Sequence, residues 1–286
     1  MLNISPLPFY ENIEDQQHRK AYAFGQIYPL VIFQNRLMPF QICLPALSTP
    51  LNIKLVSLQN KKQVDITEAI SPALSAISTT GYTLMRYFGK QAISAIRQEG
   101  PYYLELTARV NGLNKVYYSE IFTSTNNLEG HILIEYGNTE NLYFKNGVAD
   151  FSNDFKFSCY LCTQIGKPKY VFEEEAIDRF GYSFIESQVS KKVYNFTALV
   201  PEFLCDALRI VRMCNTCQIT EILTNKTYDL IAFEMDTEWQ EQGDLAAVNC
   251  SFETDTVITN IGGYFPEAPG FNEDFNDDYE KNKADA

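Results

Sequence analysis

The sequence predicts a mainly β protein, built of β-sandwich-like domains with one or two helices packed on the sheets. Three observations predict it. Of the 286 residues, 45% are hydrophobic and 14% aromatic, with 20 Phe and 18 Tyr, and rings suit pleated, half-buried surfaces. Residues 102–108 alternate strictly, with Tyr103, Glu105 and Thr107 facing one way and Leu104, Leu106 and Ala108 the other, which is the period of a strand. Helical spacing, by contrast, stands out once, at Phe203, Leu204, Ala207, Leu208 and Val211.

Taken in order, residues 1–20 read as an extended N-terminal arm. A first β domain is expected over residues 21–125. It opens with two apolar runs, 30–33 and 37–44, separated by Gln34-Asn35-Arg36, the pattern of a hairpin. A strand over 52–58 ends at Gln59-Asn60-Lys61-Lys62. Residues 71–96 fit neither period, because small side chains such as Ala73, Ser75, Ala76 and Ser78 dominate them. The clearest hairpin follows: Asn111-Gly112 turns the 102–108 strand back into residues 116–122.

A second β domain with one helix is expected over residues 126–265. Residues 132–136 form a short buried strand, followed by strands over 155–165, 170–174 and 192–200. The helix, near 201–213, starts at Pro201, which the first helical turn tolerates. Closing strands are expected over 218–222, 228–239 and 246–252. Residues 266–286 are an acidic C-terminal tail. It carries seven acids and two lysines, a net charge of −5 within the chain's −13. Phe271, Phe275 and Tyr279 recur four apart in it, a spacing that suits anchors docking on a neighbouring subunit.

The residues predict no catalytic, cofactor-binding or metal site. The net charge of −13 repels phosphate backbones, so no nucleic-acid partner is expected. No run is long and apolar enough for a membrane span. Residues 1–20 lack the pattern of a secretory signal, so synthesis in a cytoplasm is expected. Seven Cys without such a signal argue against a disulfide framework. The sequons at Asn3, Asn195, Asn225 and Asn249 then carry little weight.

Neither His18 nor His131 sits in a catalytic motif, and there is no nucleophile elbow or phosphate-cradling glycine loop. Acid pairs such as Glu173/Glu175 and Asp236/Glu238 are expected by chance in so acidic a chain. Cys159-x-x-Cys162 and Cys214-x-x-Cys217 are the strongest metal-like signal. Their separation is long for a compact zinc ribbon. The first pair also reads as strand, where residues three apart face opposite ways.

The stretch from Tyr228 to Asp236, followed by Glu238 to Val248 and on through Cys250 to Gly262, resembles a segment of virion proteins from Bacteroidetes phages, crAss-like phages among them. Residues 191–208, with Pro201-Glu202-Phe203-Leu204-Cys205-Asp206-Ala207-Leu208, are similar to the same group, as is the 100–122 hairpin with Tyr117-Tyr118-Ser119-Glu120. The family is one of tail or baseplate-type structural proteins. The resemblance implies a non-enzymatic component of a phage tail, tail hub, ring or baseplate, localised to the virion. It implies a symmetric, ring-like homo-oligomer that contacts neighbouring virion proteins. A bacterial contractile injection system would share this physics. The competing reading is a carbohydrate- or surface-binding β-sandwich module, which needs a concave aromatic strip with polar groups beside it.

Overall fold

The computed structural model describes residues 4–17, 30–89, 91–96, 99–144, 147–179, 182–239 and 245–260. Of these, 59% are strand and 9% helical, so the protein is mainly β. In chain order the strands are β1 (Phe9–Tyr10), β2 (Val31–Phe33), β3 (Phe40–Pro45), β4 (Thr49–Ser57), β5 (Gln63–Asp65), β6 (Leu74–Ser78) and β7 (Tyr82–Tyr87). Then come β8 (Gly100–Val110), β9 (Leu113–Ser119), β10 (Phe122–Thr125), β11 (His131–Gly137), β12 (Leu142–Phe144), β13 (Gly147–Ala149) and β14 (Phe157–Cys162). The last are β15 (Lys169–Arg179), β16 (Tyr182–Pro201), β17 (Thr216–Glu221), β18 (Lys226–Asp229), β19 (Ala232–Trp239) and β20 (Leu245–Asn260). The longest helix is Glu202–Val211.

Contacts divide the chain into two compact units. One comprises Met1–Lys167 with Tyr194–Thr254, the other Pro168–Val193 with Asp255–Ala286. The division differs from the expected boundary near residue 125. Side chains from both sides of that boundary share one core, which runs from Leu7 and Phe40 through Leu106 and Phe122 to Ile134, Leu208 and Phe252.

Within the first unit, β8 organises the largest sheet. It pairs on one side with β4 and on the other with β9 and β10. The Asn111-Gly112 turn is present, both residues holding positive φ (51° and 79°), as a tight hairpin demands. The alternation also holds: Leu104, Leu106 and Ala108 are in the main core. Tyr103 packs on the other face with Val56 and Ile121, against Ile13 and Tyr118. The returning strand, however, breaks at Glu120-Ile121. There the Ser119 hydroxyl accepts the Leu104 N–H at 2.8 Å, taking the place of a ladder bond.

Two other expectations change. Gln34 and Asn35 do turn the chain (φ 49° and 62°), but β2 and β3 do not pair. β2 joins β10 in parallel, and β3 joins β7 in a sheet ordered β3-β7-β6. The N-terminal segment is not a free arm over its described residues. β1 adds to β9, Leu7 and Phe9 are buried, and the Tyr10 hydroxyl and Gln17 N–H donate to the buried Glu120 carboxylate at 3.0 and 2.9 Å.

Further sheets are β14-β11-β17-β18, the pair β12-β13, and a four-stranded sheet ordered β15-β16-β20-β19. The helix starts after Pro201, which lies in extended conformation (ψ 164°) as its N-cap. Its stripe of Phe203, Leu204, Ala207, Leu208 and Val211 is buried, and it lies against β19. A buried ion pair ties β7 to the segment after β13: Arg86 donates to Asp150 Oδ1 at 2.7 Å and to Ser152 O at 3.0 Å. In the second unit, β15 and the first part of β16 form an antiparallel hairpin, from Lys169↔Val193 to Arg179↔Tyr182.

Candidate functional site

Among the described residues, no group of three or more His, Cys, Asp or Glu side chains is placed to hold a metal ion. On β14, Cys159 is buried and Cys162 exposed, the opposite facing that strand geometry imposes. The sequence spacing hides one neighbourhood. Cys159, Cys214 and Cys217 all lie close enough to Tyr136 to act on its phenol electrostatically. Register explains part of this, because Tyr136 pairs with Cys217 on one side and Phe157 on the other. Burial pushes the Cys159, Cys214, Cys217 and Cys250 thiols up to about 12. Protonated thiols are poor nucleophiles.

His131 opens β11, its Nδ1 3.2 Å from the Glu129 carbonyl; His18 lies outside the described residues. Asp236 and Glu238 project from β19 into solvent. A cleft of about 550 Å³ collects Arg36, Glu135, Asp154 and Lys156 beside Phe88 and Tyr160. Phe88 is not free for stacking there. The Arg86 guanidinium sits 5.4 Å from its centroid and Phe155 packs edge-on at 5.2 Å.

The unusual surface is the hairpin. On β16 the burial alternates from Tyr194 onward, Tyr194, Phe196, Ala198 and Val200 being buried and Asn195, Thr197 and Leu199 exposed. β15 shows no such alternation. Every side chain from Lys169 to Ala176 is exposed, on both faces. Tyr170 is 62% exposed and Phe172 64%, and as residues two apart they share a face. Val171 and Ile185 are exposed as well. Polar pairs hold the ladder together: Lys191 donates to Glu173 at 2.8 Å, Gln188 to Glu174 at 2.6 Å and Ser187 to Glu175 at 3.1 Å. Lys192 lies 6.0 Å from the Tyr170 ring centroid. β15 is the outer strand of a sheet ordered β15-β16-β20-β19, and exposed apolar rings mark association surfaces.

No protein-family model matches the chain, and no curated protein or solved structure does either. The sequence singled out Glu173 and Glu175 only as a chance acid pair. Their strand carries the most exposed rings of the described second unit, a feature that single-residue motifs do not encode.

Proposed function

We propose that this chain is a non-enzymatic structural component of a phage virion, of the tail, hub, ring or baseplate class, acting through contacts with copies of itself and with neighbouring virion proteins. One observation carries the reading: residues 169–176 of β15 are exposed on both faces, with Tyr170, Val171 and Phe172 in solvent and Ile185 exposed on β16. Rings displayed on an exposed edge strand gain most when a partner covers them. The resemblance of residues 228–262 to phage virion proteins supports the same assignment. So does the acidity of the chain, which keeps an assembly-prone subunit dispersed before it is incorporated.

The carbohydrate-binding alternative fares less well. Its aromatic strip would sit in a concave cleft, yet Tyr170 and Phe172 lie on an edge strand exposed on both faces and the Phe88 ring in the charged cleft is already occupied. Negative-stain imaging of the purified protein, with light scattering in the presence and absence of neighbouring virion proteins, tests the assignment. Closed symmetric particles, alone or on a partner, are the expected result. A strict monomer that joins no virion protein and binds a glycan array overturns it.

A further inference from the structure

β15 is an edge strand. Among the described residues its only ladder partner is β16, so the outer row of its backbone N–H and C=O groups is a template for another strand. The strand contains no proline. The register shift in the hairpin, at Glu175/Ala176, skips Glu186 on the opposite strand, so β15 keeps its regular pleat. Its own sequence restricts what can be added.

We propose that β15 pairs antiparallel with β15 of a second copy of this chain, about a two-fold axis through Phe172. Self-pairing of an antiparallel strand must be centred on a residue, because directly opposed residues present their backbone groups in the same sense. In the Phe172 register, Lys169 stands opposite Glu175 of the second copy, and this happens twice. Tyr170 stands opposite Glu174, Val171 opposite Glu173, and Phe172 opposite its own copy. Tyr170, Phe172 and their two counterparts then form one row of rings on one face, within the reach of opposed and diagonal cross-strand neighbours.

The competing registers are worse. Centring on Glu173, Glu174 or Glu175 sets glutamate directly against glutamate, which is destabilising. Centring on Val171 shortens the overlap and sets Lys169 against Glu173, already bonded to Lys191 at 2.8 Å. The three consecutive glutamates therefore select one register and block its neighbours. The far edge of the β16–β20–β19 ladder is β19, which carries Glu234, Asp236 and Glu238. Its charge rejects β15, so the acid-bearing strand is steered to its own copy.

The inference rests on the assembly reading and names its first contact. The test is a charge swap read by sedimentation velocity across the micromolar range. The parent chain should form a dimer. Lys169→Glu sets acid against acid twice, and Glu175→Lys sets lysine against lysine twice. Each variant alone should associate about tenfold more weakly, as two reversed cross-strand pairs imply. Mixing the two variants restores both attractive pairs between unlike chains, so the mixture should dimerise like the parent. Unchanged melting temperatures will show that each variant folds. A parent that stays monomeric, variants that dimerise like the parent, or a mixture that fails to recover overturns the pairing. If particles still form with virion proteins in any of those cases, the assembly reading stands and only this contact is lost.

Discussion

Replacing Asp150 with Ala is expected to destabilise the first unit far more than replacing its partner, Arg86, with Met. Arg86 is 1% exposed and its guanidinium is held by Asp150 Oδ1 at 2.7 Å, Ser152 O at 3.0 Å, Ser152 Oγ at 2.9 Å and Ser75 Oγ at 3.2 Å. Removing the carboxylate leaves a cation that cannot shed its proton. Breaking a buried pair in this way costs about 3–5 kcal/mol. Arg86→Met removes the charge instead and fills the same space with an apolar chain. Asp150 then keeps the Ser152 N–H at 2.8 Å and the Ser152 hydroxyl at 2.5 Å. The cost falls to that of a charge-assisted hydrogen bond, about 1.5–3 kcal/mol. The double variant should lose less than the sum, because neither charge is then stranded. Urea unfolding with a shared slope measures all three. A loss under about 1 kcal/mol for Asp150→Ala, the figure for exposed pairs, refutes the argument. So does an Arg86→Met variant that is the weaker of the two.

Four further outcomes are expected. Leu208→Asp places an unpaired carboxylate in the fully buried stripe of the helix, costing several kcal/mol; the variant should be insoluble or melt far lower, and parent-like melting would show the site is not core. In native protein, Cys162 should react rapidly with a thiol reagent while buried Cys159, Cys217 and Cys250 wait for unfolding. Those three thiols sit at about 12 in the fold against roughly 8.5 when unfolded. The unfolded chain thus sheds protons first, and stability should fall as pH rises from about 8.5 toward 12. Flat stability across that window in urea titrations contradicts their burial. Deleting residues 266–286 should leave melting unchanged and weaken assembly; wild-type particle yield from the truncated chain would make the tail a solvated end.

The parts of the fold that were legible in the sequence are those where one face meets the core. Leu104, Leu106 and Ala108 alternate because β8 has a buried side. The helix was legible because its stripe must cover apolar surface. The turn at Gln34-Asn35 was legible too, since its chemistry is local, but the partners of β2 and β3 were not. A turn fixes the direction of the chain, while strand pairing is decided by which distant edges are free. The burial of the N-terminal segment was missed for a related reason. It depends on Glu120, more than a hundred residues away, accepting from Tyr10 and Gln17.

The candidate surface escaped for the opposite physical reason. Reading by periodicity expects the hairpin strands only over 170–174 and 192–200, yet they run over Lys169–Arg179 and Tyr182–Pro201. Alternation records burial on one side, and residues 169–176 of β15 have no buried side to record. Where its pattern lapses, the ladder is kept by the cross-strand pairs Lys191–Glu173, Gln188–Glu174 and Ser187–Glu175. Such polar pairs hold a ribbon in register without covering its rings. The same glutamates that make the strand look like a solvated stretch thus leave Tyr170 and Phe172 displayed, and they limit the strands that can pair with it. A strand with one covered face declares itself by alternation; one exposed on both faces shows only a short strand signal, here 170–174, and what it can pair with is written in the charge order along its edge.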